Sequence, residues 1–129
     1  LAEGGRLILN FFDPRVDLLA SRSGESDAPP EKLMEFPHPE SGRRVLLQHA
    51  ARYDLERQQV DVNLIFEETD GEGRVVDRRC TPLTLRYIFR FEMEHLLELC
   101  GFEIEALYGD FARGPFRAGG EQVWVARKR

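Results

Sequence analysis

The chain has 129 residues and a mass of 14.9 kDa, enough for one domain with its own core and no need of a disulfide or metal staple. Hydrophobic residues at 42% and charged residues at 32% exclude a collagen-like, disordered or membrane-spanning chain. A formal net charge of -5 disfavours nucleic acid as a partner, because that ligand selects a basic face.

Arg6 to Phe12 is a nearly continuous apolar run between Gly4-Gly5 and Asp13-Pro14. It predicts a strand buried on both faces, stopped by Pro14, which cannot donate to a ladder. Val16 to Ala20 predicts one helical turn. Residues 21–42 hold most of the chain's prolines and several serines and glycines, and predict a long mobile surface loop anchored by Leu33, Met34 and Phe36.

Three strands are predicted next, over 43–53, 58–68 and 74–86. In the middle one, Val60, Val62, Leu64 and Phe66 fall on one face and Gln59, Asp61, Asn63 and Glu67 on the other. That alternation marks a half-buried antiparallel strand. Asp70-Gly71 supplies the turn to the third strand, and Pro82 puts that strand at an edge or a bulge. A helix follows over 89–100, with an apolar stripe of Phe89, Met93, Leu96, Leu97 and Cys100 and with Glu92, Glu94 and Glu98 outside. Gly101 supplies its left-handed C-terminal residue. Strands over 103–108 and 122–127 flank a glycine-rich loop, with Val123, Val125 and Ala126 facing inward. The first strand and the last two are expected to share a sheet with the helix packed on it.

The phosphate and dinucleotide signals are absent. Gly71-Glu72-Gly73 lies in a hairpin turn with no helix after it. Cys80 and Cys100 form no CxxC and no cluster with the three histidines, so no metal site is expected, and a reducing, cytoplasmic setting is. His95 is expected at the helix surface, and His49 is expected to face water. The residues best suited to binding are Tyr53, Arg86, Tyr87, Arg90, Tyr108 and Asp110, which lie at strand ends and at the strand-to-helix junction. Tyr and Arg can hydrogen-bond and stack on a ligand in a mostly apolar pocket. The competing reading makes the aromatics core and the arginines members of surface ion pairs.

The helix end Leu97-Glu98-Leu99-Cys100-Gly101-Phe102, followed by Glu103 to Phe111, resembles the C-terminal helix and strand of class I S-adenosylmethionine-dependent methyltransferases. Leu1-Ala2-Glu3-Gly4-Gly5 is similar to the turn before that family's fifth strand, with Glu3 where proline is usual. Gln122 to Arg127 looks like its last strand. The resemblance implies an α+β / α/β chain: strands five to seven of a Rossmann-like sheet, the last inserted antiparallel between the other two, with the last helix and an added three-stranded antiparallel meander. It implies a single domain, a C-terminal fragment of its parent, divided as sheet strand and turn (1–20), loop (21–42), cap meander (43–86), and helix with two strands (87–129).

The family's cofactor groups follow its first, second and fourth strands, none of which is in this sequence. The resemblance therefore implies S-adenosylmethionine as cofactor of a longer parent, none bound by this chain alone, and methyl transfer to a small molecule. In that reading Arg86 or Arg90 holds an acidic substrate group, Tyr87 or Tyr108 bonds the acceptor, and Asp110 accepts a proton, with Tyr53 also on the substrate side. The alternative is a non-catalytic small-molecule-binding or oligomerisation module. With no neighbour on one side, the apolar Arg6–Phe12 strand is expected to form a homodimer. Neither nucleic acid nor membrane is an expected partner.

Overall fold

The computed structural model describes residues 1–23 and 29–129; residues 24–28, part of the predicted loop, lie outside the described residues. Nine elements follow in order: β1 (Arg6–Phe12), α1 (Val16–Ser21), β2 (Glu31–Pro37), β3 (Arg44–Asp54), β4 (Gln59–Thr69), β5 (Val75–Arg86), α2 (Arg90–Leu99), β6 (Phe102–Tyr108) and β7 (Glu121–Lys128). The backbone divides into two compact units, Leu1–Leu19 with Tyr87–Arg129, and Ala20–Arg86.

The first unit is a three-stranded sheet in the order β1-β7-β6, with β7 antiparallel to both neighbours. β1 and β6 therefore run the same way. Leu7 and Ile104 flank Ala126, and Leu9 and Leu107 flank Trp124. A register shift between Ile104 and Ala106 lets Ile104 and Leu107 share this face despite their odd spacing. Met93 and Leu97 of α2 complete the cluster, with Ile88, Phe102 and Phe11 around it.

Three expectations change here. β1 is not buried on both faces: it is an edge strand of the described sheet, and Arg6, Ile8 and Asn10 are exposed in alternation. In β7, Trp124 is buried along with Val123 and Ala126, because a central strand is covered on both sides. In α2, only Met93 and Leu97 of the predicted stripe are buried; Leu96 and Cys100 are exposed, because one helix on a narrow sheet buries a narrow seam. Gly101 closes α2 at φ +80°, with its N–H donated to the Glu98 carbonyl at 3.0 Å.

On this sheet Arg6 donates to Glu105 at 2.6 Å and Arg127 donates to Glu103 at 2.8 Å. The Arg6 hydrogen bond, and then its charge, hold the Glu105 carboxyl below its usual range.

The second unit is a four-stranded antiparallel sheet, β2-β3-β4-β5. The predicted three-stranded meander thus gains a strand, Glu31–Pro37, from the segment predicted as loop. Its register slips between Lys32 and Met34, and Leu33 and Met34 are exposed, so no alternation marks it in the sequence. The face predicted for β4 holds: Val60, Val62, Leu64 and Phe66 pair with Tyr53, Ala51, His49 and Leu47 of β3. Ile65 is buried on the opposite face. His49 is not simply wet, since its Nδ1 is buried and has no hydrogen-bond partner among the described residues.

The Asp70 turn is as the sequence predicts: the Asp70 carboxylate accepts the Glu72 and Arg74 N–H groups at 2.9 Å, and Gly73 takes φ +82°. β5 is an edge strand whose twelve residues are all exposed, which accommodates Pro82. Among the described residues, no helix is long and apolar enough to cross a membrane.

Candidate functional site

Because β1 and β6 run in parallel and β7 opposes them, three chain segments meet at one end of the first unit's sheet. They are Asp13 after β1, Tyr108-Gly109-Asp110 at the close of β6, and Gln122 at the start of β7. A buried polar chain ties this end together. Gln122 is fully buried and Asp13 is 7% exposed. Gln122 Nε2 donates to Asp13 Oδ1 at 2.7 Å and to the Ile88 carbonyl at 3.1 Å, while Gln122 Oε1 accepts from Trp124 Nε1 at 2.9 Å. The other Asp13 oxygen accepts the Gly119 N–H at 2.7 Å.

Trp offers only a donor, and carboxylate and carbonyl only acceptors, so the orientation of the Gln122 amide is fixed by its partners. The Ile88 bond carries this order to the start of α2. Sequence reasoning missed Asp13 and Gln122. An Asp ending an apolar strand is the one visible signal, and it reads equally well as a turn residue.

Two of the predicted site residues stand at the α2 junction. Tyr87 is 2% exposed and packs edge-to-face on Phe89, with ring centroids 5.9 Å apart, so its ring is core. Arg90 is exposed, and its guanidinium lies over Phe91 at 5.0 Å and over Phe116 at 5.7 Å. These stacked contacts join α2 to the β6–β7 loop.

Tyr108 is half-buried at the mouth of that loop and bridges to Pro115. The Gly109 N–H donates to the Gly114 carbonyl at 2.9 Å. Asp110 Oδ1 accepts the Gly114 N–H at 2.8 Å, so the carboxylate closes a tight turn rather than standing free at a strand end. The turn forces Arg113 to φ +68°. A Cβ on Gly109 would stand 2.4 Å from the Pro115 carbonyl oxygen, which explains the glycine.

The remaining two predicted residues belong to the second unit. Tyr53 donates its N–H to the Arg22 carbonyl at 2.9 Å and lines an open concavity of about 580 Å³ with Arg52, Asp54, Arg57, Asp61 and Thr84. Arg86 ends β5 opposite Gln59, at the same end of that sheet but on the other face from Tyr53, which pairs with Val60. At the far end of the same strands lies a groove of about 400 Å³ floored by Phe36, Val45 and Phe66 and edged by Glu68 and Asp77. It holds none of the predicted site residues, and β2 helps to build it. The Glu68 carboxyl there is held below its usual range, first by the Ser41 hydroxyl.

The residues at the sheet end do not make an S-adenosylmethionine pocket. β1 passes into α1 through Asp13-Pro14-Arg15 with no glycine turn, and both Asp13 oxygens are already engaged. Among the described residues, no group of three His, Cys, Asp or Glu side chains could hold a metal.

No family model and no curated protein matches the sequence. Solved structures do match. One is the CcbJ methyltransferase from Streptomyces caelestis, with a TM-score of 0.66 and 19% identity over 100% of this chain and 48% of that one. Another is an S-adenosylmethionine-dependent methyltransferase from Clostridium acetobutylicum ATCC 824, with a TM-score of 0.63 and 14% identity over 98% of this chain and 46% of that one. The chain spans about half the length of these structures, and its 129 residues carry the fold of that half of a methyltransferase.

Proposed function

We propose that this chain is part of an S-adenosylmethionine-dependent methyltransferase that acts on a small molecule. The observation that carries the reading is the sheet order β1-β7-β6 with β7 antiparallel to both neighbours, the arrangement the sequence resemblance implies for strands five to seven. The three-stranded unit serves as scaffold and the four-stranded unit as substrate cap. The proposed substrate-side residues are Tyr87, Arg90 and Tyr108 in the three-stranded unit and, considered separately, Tyr53 and Arg86 in the four-stranded unit. Asp110 contributes by shaping the loop at the close of β6.

S-adenosylmethionine would supply the methyl group, and its pocket belongs to the rest of the parent protein. This chain's residues align the acceptor and exclude water, which is most of what an in-line displacement asks of a protein. The two cysteines are unpaired, which supports a cytoplasmic setting.

Calorimetric titration with S-adenosylmethionine tests the division of labour. The longer protein carrying these residues is expected to bind it and to transfer its labelled methyl group. The 129-residue chain is expected not to bind. Micromolar binding by the chain alone overturns the assignment of the pocket, and absence of binding and transfer by the longer protein overturns the function.

The outer edge of β1 has no strand partner among the described residues, and Ile8 on it is exposed. We propose that the chain on its own forms a homodimer there. Light scattering is expected to give twice the chain mass for the wild type and a monomer for Ile8→Lys. A monomeric wild type removes the proposal.

A further inference from the structure

One cross-strand row of the four-stranded sheet changes chemistry along its length. Phe36 of β2 lies opposite Val45 of β3, Val45 opposite Glu68 of β4, and Glu68 opposite Asp77 of β5. Two residues back along β4 and two on along β5, on the same face, Phe66 lies opposite Arg79. These residues, with His38 and Pro39 from the turn between β2 and β3, line the groove of about 400 Å³ at that end of the sheet. The groove lies wholly within the second unit. Small-molecule sites span about 300–1,000 Å³ and join an apolar lining to a few converging polar groups.

Glu68 and Asp77 make the polar wall. Like charges directly opposite across two strands destabilise a sheet, so this pair is a local cost. Each carboxylate is nonetheless held in place. Glu68 Oε1 accepts from the Ser41 hydroxyl at 2.7 Å and from Arg43 at 3.4 Å, and Asp77 Oδ2 accepts from Arg79 at 2.9 Å. The turn that presents Ser41 is itself fixed, because His38 Nδ1 accepts the Glu40 and Ser41 N–H groups at 3.2 Å. These donors leave one oxygen of each carboxylate over: Glu68 Oε2 and Asp77 Oδ1 accept no hydrogen bond from the described residues. The Glu68 side chain is 14% exposed and its carboxyl is held below its usual range, so a negative charge stands there largely out of water.

We infer that this groove binds a small organic amine, with its ammonium seated between Glu68 and Asp77 and its apolar or aromatic body on Phe36 and Phe66. Directly opposed residues stand about 5 Å apart at Cβ, within reach of one ammonium, whose three N–H donors match the two spare oxygens. Its charge relieves the repulsion across the pair, and a phenyl face attracts a cation. A metal ion fits less well, since among the described residues no third ligand joins the two carboxylates. The site is independent of the methyltransferase reading, because none of the proposed substrate-side residues lines the groove.

The 129-residue chain is titrated at neutral pH with benzylamine and, separately, with benzyl alcohol, its uncharged counterpart, and followed by amide chemical shifts. Saturable shifts with benzylamine are expected at Phe36, Val45, Phe66, Glu68 and Asp77, weakening as salt is added. Benzyl alcohol is expected to bind about tenfold more weakly or worse. Asp77→Asn and Glu68→Gln are each expected to lower benzylamine affinity about tenfold, as loss of a charge-assisted bond predicts. Glu67→Gln, on the opposite face of β4, is expected to leave it unchanged. Asp77 is exposed and Glu68→Gln keeps an acceptor for Ser41, so the fold should persist, and shifts remote from the groove report it. Absence of saturable shifts with benzylamine, equal affinity for the alcohol, or unchanged affinity in both groove variants overturns the site. An equal loss in Glu67→Gln also overturns it, by showing a diffuse effect of charge.

Discussion

Gln122→Leu is expected to cost about 3 kcal/mol or more of stability, because a buried polar group stripped of its partner costs about 1–3 kcal/mol and here three are stripped at once. Asp13 Oδ1 and Trp124 Nε1 lose the hydrogen-bond partner that Gln122 gives them, and the Ile88 carbonyl loses the bond that ties α2 to β7. A loss of that size is a large share of a typical domain's total stability, about 5–15 kcal/mol. Urea unfolding followed by circular dichroism measures it.

Gln122→Glu sharpens the test. The introduced carboxyl faces an Asp13 oxygen 2.7 Å away, so its pKa rises in the folded state. A folded value above the unfolded one gives stability that is fully present below the unfolded value and lost as pH rises through the folded value. The deficit of this variant should therefore deepen from acid to neutral pH. A neutral or stabilising Gln122→Leu would show that the polar chain is dispensable.

Gly109→Ala comes second in size. Its added Cβ would meet the Pro115 carbonyl oxygen at 2.4 Å and Phe116 Cα at 3.2 Å, both backbone atoms that move only if the loop moves. Overpacking of this kind costs about 2 kcal/mol. Gly114→Ala makes the control. There the Cβ meets the Asp110 carboxylate at 2.3 Å, the end of a side chain that can swing away. The expected order of thermal midpoints is wild type, then Gly114→Ala, then Gly109→Ala, and the reverse order of the two variants would refute the reading of Gly109.

Much of the fold could be read from local pattern because much of it is held by local pattern. The β4 alternation, the Asp70-Gly71 turn and the Gly101 stop each depend on residues adjacent in sequence, and each stands where periodicity put it. β2 escaped because its signals are contradictory: prolines flank it, its register slips, and its apolar side chains Leu33 and Met34 face solvent. β1 was misjudged because an apolar run does not say which neighbours a strand has. For the candidate site, Arg90 stands at the strand-to-helix junction where the sequence puts it, whereas Gln122 was not legible, because its burial depends on Asp13, more than a hundred residues away.

The wholly exposed β5 has a consequence for how the four-stranded sheet comes apart. β4 is laced on both sides, whereas β5 is held on one side only and offers no amide at Pro82. Deuterium from solvent will therefore enter this sheet from its two margins, β5 and β2, at once at the outward amides and at the inward ones whenever an edge strand peels. The amides of β3 and β4, each paired on both sides, will be the last to exchange, so the sheet carries its own gradient of protection from loose margins to a tight centre.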